Sequence, residues 1–218
     1  MFIKGYTLKQ WGTEPKNLPS SIINRIPVRY NYNENYFLNS KWQGIPINGY
    51  TSVFNKLTQN KRIKILLDYD FKLDEIDPKK KIIYTGPLDK LFDYKFGKLE
   101  WRSLKFEKTY LNLDDYQGNS VINYSELKYG FTRIHEPKHL HPERNYTKNK
   151  TLIIHEYPDQ NLNEPYYPIN NQKNRQLHRK YKELIQKFDN LFIGGRLADY
   201  AYYDMDMTIS AALTLYNR

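Results

Sequence analysis

Near the end of the chain, Phe192-Ile193-Gly194-Gly195-Arg196-Leu197-Ala198-Asp199-Tyr200-Ala201-Tyr202-Tyr203-Asp204-Met205-Asp206 reads as a strand, a glycine pair, a loop and the start of a helix. Helix N-termini carry unpaired N–H groups and a partial positive charge, so this order of elements suits an electron-rich ligand. It also suits an ordinary strand–loop–helix connection capped by Asp204 or Asp206, and spacing alone leaves both readings open. The arginines form a second group. Arg25 and Arg29 flank Ile26-Pro27-Val28, and Arg133 falls within the strand-like Phe131-Thr132-Arg133-Ile134. An arginine inside a strand is costly unless its guanidinium reaches a carboxylate or a phosphate. Clamping a diphosphate is one use, and pairing with Glu136 or Glu156 is the other. Tyr6, Trp11, Tyr36, Tyr166, Tyr167 and Tyr202 form a third group, able to stack on a base and set phenol hydroxyls on phosphates, or simply to pack.

Other chemistries are disfavoured. Glu136, His139 and His141 lie close together, but Pro137 argues against a helix there and no zinc spacing is matched, so no metal is expected. Neither G-x-G-x-x-G nor G-x-x-x-x-G-K-[ST] occurs, and no Ser/His/Asp order stands out. The absence of cysteine excludes disulfides and thiolate chemistry. The formal charge of +10 favours anionic partners, although the lysines are dispersed and only 79–81 forms a tight run. A nucleic-acid-binding protein that stacks bases on its tyrosines is therefore the weaker reading. The 21 tyrosines fit wet aromatic clefts or a genome rich in Lys, Asn, Tyr and Ile codons. The start, MFIKGYTLKQWG, lacks the apolar stretch of a secretory signal, and no run approaches the roughly 18 apolar residues of a membrane helix. A soluble, cytoplasmic protein with no membrane and no nucleic-acid partner is expected.

The elements that must position these groups are mixed. Residues 1–20 read as the end of a helical unit punctuated by Pro15 and Pro19, and 20–36 as a helix followed by a surface loop. Gly44, Pro46 and Gly49 mark turns, 52–57 a short helix and 63–67 a strand. From Lys81 the texture changes to strands at 82–84 (buried), 99–106, 121–124, 130–134 and 151–157, whose alternation suits an antiparallel sheet with one open face. A helix over 176–188, a strand at 191–193 and a last helix from Asp204 or Asp206 to about Tyr216 complete the chain. The class is α+β or α/β, in more than one lobe.

Several segments together resemble the UDP-galactopyranose mutase family. They are Gly5-Tyr6-Thr7 with Lys9-Gln10-Trp11-Gly12, Arg25-Ile26-Pro27-Val28-Arg29, Asn35-Tyr36-Phe37 and Gln43-Gly44-Ile45-Pro46. Tyr84-Thr85-Gly86-Pro87, Trp101-Arg102-Ser103-Leu104, Gln117-Gly118-Asn119, Thr132-Arg133-Ile134 and Glu156-Tyr157 follow, then Pro165-Tyr166-Tyr167-Pro168, Gly195-Arg196-Leu197 and Tyr202-Tyr203-Asp204-Met205-Asp206. They occur in family order over essentially the whole chain. The resemblance implies an isomerase that interconverts UDP-galactopyranose and UDP-galactofuranose for cell-surface polysaccharide. It contracts the sugar ring without net redox change, with N5 of reduced FAD as nucleophile.

The resemblance also implies roles. Arg25 is similar to the mobile-loop arginine over the diphosphate and Arg133 to the fixed one opposite, both catalytic. Tyr36, Tyr167 and Tyr202 match phosphate-contacting tyrosines, and Tyr6 the residue stacked on uracil, with Phe2, Thr7 and Trp11 nearby. Asn123, Glu156 and Asp204 match polar residues of the active cleft. Arg196, Tyr203, Asp204, Met205 and Asp206 match the flavin side, and Phe71 the adenosine end of FAD. The implied division is 1–45 for the end of the helical substrate domain with its mobile loop, and 46–80 for a segment of a Rossmann-like FAD-binding domain. Residues 81–168 then form the antiparallel sheet domain, and 169–218 the C-terminal FAD-binding segment.

The chain departs from the family at its start, where the strand, G-x-G-x-x-G turn and helix that hold the FAD pyrophosphate are expected. Met1 falls inside what resembles the middle of the substrate domain, so on the order of 150 residues, about one domain, are expected to be missing. Strands 63–67 and 192–193 are then expected to lose partners in that part. The isolated chain is expected to bind FAD poorly and turn over little, with a separate or upstream-encoded FAD segment completing it. The alternative is a non-catalytic remnant, or half of a split enzyme, that retains UDP binding. A homodimer is left open.

Overall fold

The computed structural model describes residues 2–18, 30–33, 41–159 and 164–217, with Phe2, Ile3 and Asn17 described by backbone alone. Arg25, Arg29, Tyr36 and the Phe2 side chain thus lie outside the described residues, as does the 20–36 helix and loop apart from 30–33. The elements are α1 (Phe2–Trp11), α2 (Gly49–Leu57), β1 (Ile82–Tyr84), α3 (Leu88–Leu91), β2 (Trp101–Leu111), β3 (Val121–Asn123), β4 (Arg133–His135) and β5 (Thr151–Asp159). β6 (Tyr167–Pro168), α4 (Gln172–Ile185), β7 (Leu191–Ile193), α5 (Gly195–Ala198) and α6 (Met205–Tyr216) follow. The mixed α+β class is as the sequence predicts. No helix among the described residues is long and apolar enough to cross a membrane.

Two sheets organise the described residues. The larger is antiparallel, in the order β3-β4-β5-β2-β6, and the smaller is a parallel pair of β1 and β7. The long β2–β5 ladder runs from Ser103 opposite Asp159 to Leu111 opposite Thr151. Residues directly opposite in such a ladder share a face. The register therefore places Asn123, Arg133, Glu156 and Phe106 in one row across four strands.

Around the parallel pair, α4 supplies the packing. Asn171 caps it by accepting from the Asn174 N–H at 2.8 Å, which starts the helix earlier than the expected residue 176. Tyr181 and Ile185, on one face, pack with Leu88, Leu91, Leu191 and Ala198. The Tyr181 hydroxyl donates to the Gly97 carbonyl at 2.7 Å and accepts from the Phe96 N–H at 2.9 Å. A smaller core joins Leu99, Trp101 and Tyr200, with the Trp101 and Tyr200 rings edge to face at 4.8 Å.

α1 is held onto the larger sheet by two cations bonded to carbonyls. Lys9 Nζ donates to the carbonyls of Tyr124, Glu126 (3.1 Å) and Phe131 (2.8 Å), ringed by the segment between β3 and β4. Arg102, on β2, donates from Nε to the Gln10 carbonyl at 3.0 Å and from Nη2 to the Lys9 carbonyl at 3.2 Å, at the helix C-terminus where carbonyls lack partners. Gly5 permits the close approach: a Cβ there would meet the Ser125 carbonyl oxygen at 2.1 Å.

Several expectations are corrected. Residues 63–67 form no strand among the described residues, and Ile63, Ile65, Leu66 and Leu67 are exposed. Apolar β-branched residues make a strand only where a partner supplies the ladder. The strand expected at 130–134 begins at Arg133, because the preceding loop curls around Lys9. β2 extends to Leu111, carried by its β5 partner, and β7 pairs with β1 (Phe192 opposite Ile83) instead of waiting for a strand elsewhere. β1 is not buried throughout, since Ile83 is 58% exposed.

Tyr181→Phe leaves the Phe96 N–H and Gly97 carbonyl without their shared partner, and it should cost about 1–3 kcal/mol in urea unfolding. Lys9→Met should accelerate amide hydrogen exchange across 124–132 by about tenfold while leaving α4 protected.

Candidate functional site

The open face of the larger sheet carries a buried carboxylate. Glu156 is 2% exposed, and its Oε2 meets His135 Nε2 at 2.9 Å and Arg133 Nη1 at 3.4 Å. Thr132 donates its hydroxyl to Glu156 Oε1 at 3.3 Å. Burial opposes the carboxylate's charge, but the His135 hydrogen bond and the Arg133 charge outweigh it and hold the Glu156 carboxyl below its ordinary value. Arg133 also donates from Nε to Asn123 Oδ1 at 3.0 Å, so β3 and β5 both orient one guanidinium. Of the two uses open to a strand arginine, the carboxylate pairing is present, and it is with Glu156.

Tyrosines surround this pair. The Arg133 guanidinium lies over the Tyr6 ring, 5.6 Å from its centroid, which brings α1 against β4. Tyr167 on β6 stacks on Tyr202 with centroids 5.4 Å apart and planes within 10°, and Trp11 tilts onto Tyr167 at 5.9 Å. Arg196 on α5 lies over both stacked rings, at 4.6 Å from Tyr202 and 5.2 Å from Tyr167. The loop that delivers Tyr202 turns at Tyr200, which holds a left-handed φ of 50° while its side chain is buried.

Burial pushes the Tyr167 phenol up to about 12, with Tyr202 and Glu156 adding to the rise. Burial raises Tyr6 too, against the lowering field of Arg133. Both phenols are therefore protonated at neutral pH and able to donate to an anion. Arg196 Nε is buried without a hydrogen bond among the described residues. Buried polar atoms of this kind call for a partner.

A second region lies along β7 and α6. Gly195 takes φ 86°, the conformation glycine tolerates, and opens the turn into α5. Asp204 stands at the N-cap of α6, and a groove of 630 Å³ is lined by Gly194, Asp199, Tyr203, Asp206 and Ser210. Tyr203 donates its hydroxyl to Asp199 Oδ2 at 3.2 Å, while Met205 is exposed. The N-terminus of the twelve-residue α6 suits an electron-rich group, whereas the Asp199 and Asp206 carboxylates of the groove are acceptors and Arg196 lies outside it, over Tyr202.

The candidate residues thus divide. Tyr6, Asn123, Arg133 and Glu156 are linked through the contacts above, Trp11, Tyr167, Arg196 and Tyr202 form a second linked set, and Thr7 is buried on α1. Phe71 stands apart, packed on Tyr84 (centroids 6.4 Å apart) beside the α4 core. Of the histidine group, His141 pairs with Glu143 at 2.8 Å, and Asp115 takes its place near Glu136 and His139. The Glu136 carboxylate accepts from the Tyr116 and Gln117 N–H groups and the Thr151 hydroxyl, with the Lys138 ammonium at 3.8 Å, which makes it a loop anchor. Sequence reasoning passed over His135 and Lys9 as functional residues. The signal for His135 was present, because two residues after Arg133 on a strand is the same face.

The family model described as UDP-galactopyranose mutase matches residues 1–202. A probable UDP-galactopyranose mutase of Klebsiella pneumoniae is 41% identical over 213 residues, covering 97% of this chain and 55% of the relative. A dTDP-fucopyranose mutase of Escherichia coli is 35% identical over 221 residues, covering 97% of this chain and 58% of its own. A UDP-galactopyranose mutase of Mycoplasma genitalium is 36% identical over 222 residues, covering 94% and 54%. The chain spans just over half the length of these curated relatives. With a matching family model over most of its residues and the same ordered motifs along its strands and helices, the chain belongs to the UDP-galactopyranose mutase family.

Proposed function

We propose that these residues form the substrate-gripping face of a nucleotide-sugar mutase that interconverts UDP-galactopyranose and UDP-galactofuranose. The observation that carries the reading is Arg133, held on buried Glu156 near the protonated phenol of Tyr167. A fixed cation with neutral hydroxyl donors is the arrangement a diphosphate needs, most of all as negative charge builds on it when it leaves the sugar. Arg25 and Tyr36 also act on the diphosphate in this reading. Tyr6 stacks on the base, with Phe2, Thr7 and Trp11 around it, and Tyr167 and Tyr202 donate to the phosphates. Asn123 and Glu156 orient Arg133, and Asp204 lines the cleft.

Reduced FAD, when bound, supplies the nucleophile toward the sugar. Arg196, Tyr203, Asp204, Met205 and Asp206 would hold its ring side, and Phe71 its adenosine end. Residues 1–45 then belong to the substrate domain, 81–168 to the substrate-side sheet, and 46–80 with 169–218 to the flavin-binding domain. A flavin-binding segment of the family, on the same or another polypeptide, completes the site, and the assembly works in the cytoplasm, alone or as a homodimer.

A second reading, UDP binding without turnover by these 218 residues alone, is favoured by α6. None of its residues is buried, and Met205, Met207, Ile209 and Leu213 are exposed. A helix with an apolar exposed face beside a two-stranded sheet gives a flavin an incomplete wall.

Arg133→Ala should weaken UDP binding by about 10- to 100-fold in calorimetry, the loss of a charge-assisted contact. Unchanged affinity would remove the basis of the diphosphate reading. Parallel titration with a dTDP-sugar tests the base and sugar, and tighter binding of that ligand would reassign the substrate. The purified 218-residue chain should carry less than about one-tenth of an equivalent of flavin and show little turnover of UDP-galactofuranose with dithionite, as its open flavin wall implies. Stoichiometric yellow flavin with full activity would contradict this.

A further inference from the structure

Arg133 does not have Glu156 to itself. His135 is two residues along β4, on the same face, and its Nε2 lies closer to the shared Oε2 than the guanidinium does, at 2.9 Å against 3.4 Å. A carboxylate carries one negative charge. While the imidazole is neutral and donates its Nε2–H, the Arg133–Glu156 pair sums to zero. When the imidazole is protonated, the same three side chains carry one net positive charge, with no rearrangement of their contacts. We infer that His135 is a positioning residue that shares Glu156 with Arg133 and sets how much of the arginine's positive charge is left for a diphosphate. This rests on the diphosphate reading of the site.

The surroundings leave the switch to this trio. Across β5, the row through His135 continues to Ile154 and then to Lys108 on β2, a cation two strands away. On the other side Val121 of β3 lies opposite. The Phe106 ring meets the His135 ring at 6.4 Å, edge on. From α1 and β6 come the phenols of Tyr6 and Tyr167, both raised and so neutral through the histidine range. Glu107 lies between Phe106 and Lys108 in β2 and so points to the opposite face. His135 is 26% exposed and Glu156 2% exposed, so protons reach the imidazole from solvent while the carboxylate stays shielded. Histidine is the side chain that changes charge between pH 5 and 8. The sign follows: anion affinity rises as pH falls through the imidazole's titration.

The test uses UDP-galactose, whose diphosphate diester has no proton to lose in this interval. Its affinity for the full chain is measured by calorimetry at pH 8 and pH 5.5, in the parent and in His135→Gln. The glutamine amide can still donate to Glu156 but cannot be protonated. The parent should bind roughly 3- to 10-fold more tightly at the lower pH, the effect of one added charge in a half-exposed site. His135→Gln should match the parent at pH 8 and lose most of that dependence. A parent with equal affinity at both values, or a variant that keeps the full pH dependence, overturns the inference. The Arg133 guanidinium NMR signal gives an independent readout: it should shift between pH 8 and pH 5.5 in the parent and hold still in His135→Gln. If the parent binds no UDP-galactose at either pH, the diphosphate reading itself fails. The NMR comparison then decides, and a guanidinium signal unmoved by pH in the parent overturns the inference.

Discussion

Glu156 places a negative charge inside a sheet, where a carboxylate without partners costs several kcal/mol. The surrounding strands are arranged to meet that cost. β4 brings Arg133 and His135 to the same oxygen, Thr132 reaches the other, and Asn123 on β3 turns the guanidinium from the far side. Removing the carboxylate would leave Arg133 without its buried counter-charge and His135 without an acceptor. The place of this arginine on the open face is therefore a consequence of the anion behind it. Without that anion, a strand arginine would swing to solvent, where long side chains are entropically favoured.

The same economy of charge fixes α1. This helix has no amphipathic stripe strong enough to seat it, and it meets the sheet through cations bonded to carbonyl oxygens. Lys9 fills the ring of carbonyls in the loop before β4, and Arg102 closes the C-terminus of the helix. Oriented carbonyls satisfy a cation without cancelling its charge. Seated this way, the helix places Tyr6 over Arg133 and Trp11 beside Tyr167.

The two sheets differ in completeness. Among the described residues, the antiparallel sheet has five strands and a ring-lined face. The parallel sheet has two strands, covered on one side by α4, while α2, α6 and residues 63–67 present apolar side chains to solvent. Exposed apolar surface of this extent marks a place where more protein or a ligand belongs. This is consistent with a chain that spans just over half of its relatives.

Much of the architecture was legible in the residues. The strands at 82–84 and 191–193, the strand near 121–124, the glycine turn before α5, and the presence of helices near 52–57 and 176–188 follow from local pattern and punctuation, although those two helices start three and four residues earlier, at Gly49 and Gln172. The ordered motifs carried the family. Local pattern could not say which strand pairs with which. Residues 63–67 have the composition of a strand but no ladder among the described residues, whereas 191–193 found one more than a hundred residues away at β1. Nor could it choose between Glu136 and Glu156 as the partner of Arg133. Glu136 is nearer in sequence, but the β4–β5 register puts Glu156 directly opposite, while Glu136 anchors the loop at Tyr116 and Gln117. The residues determined which groups could do the chemistry. Only the tertiary register decided which of them share a face, because that depends on pairing between segments far apart in the chain.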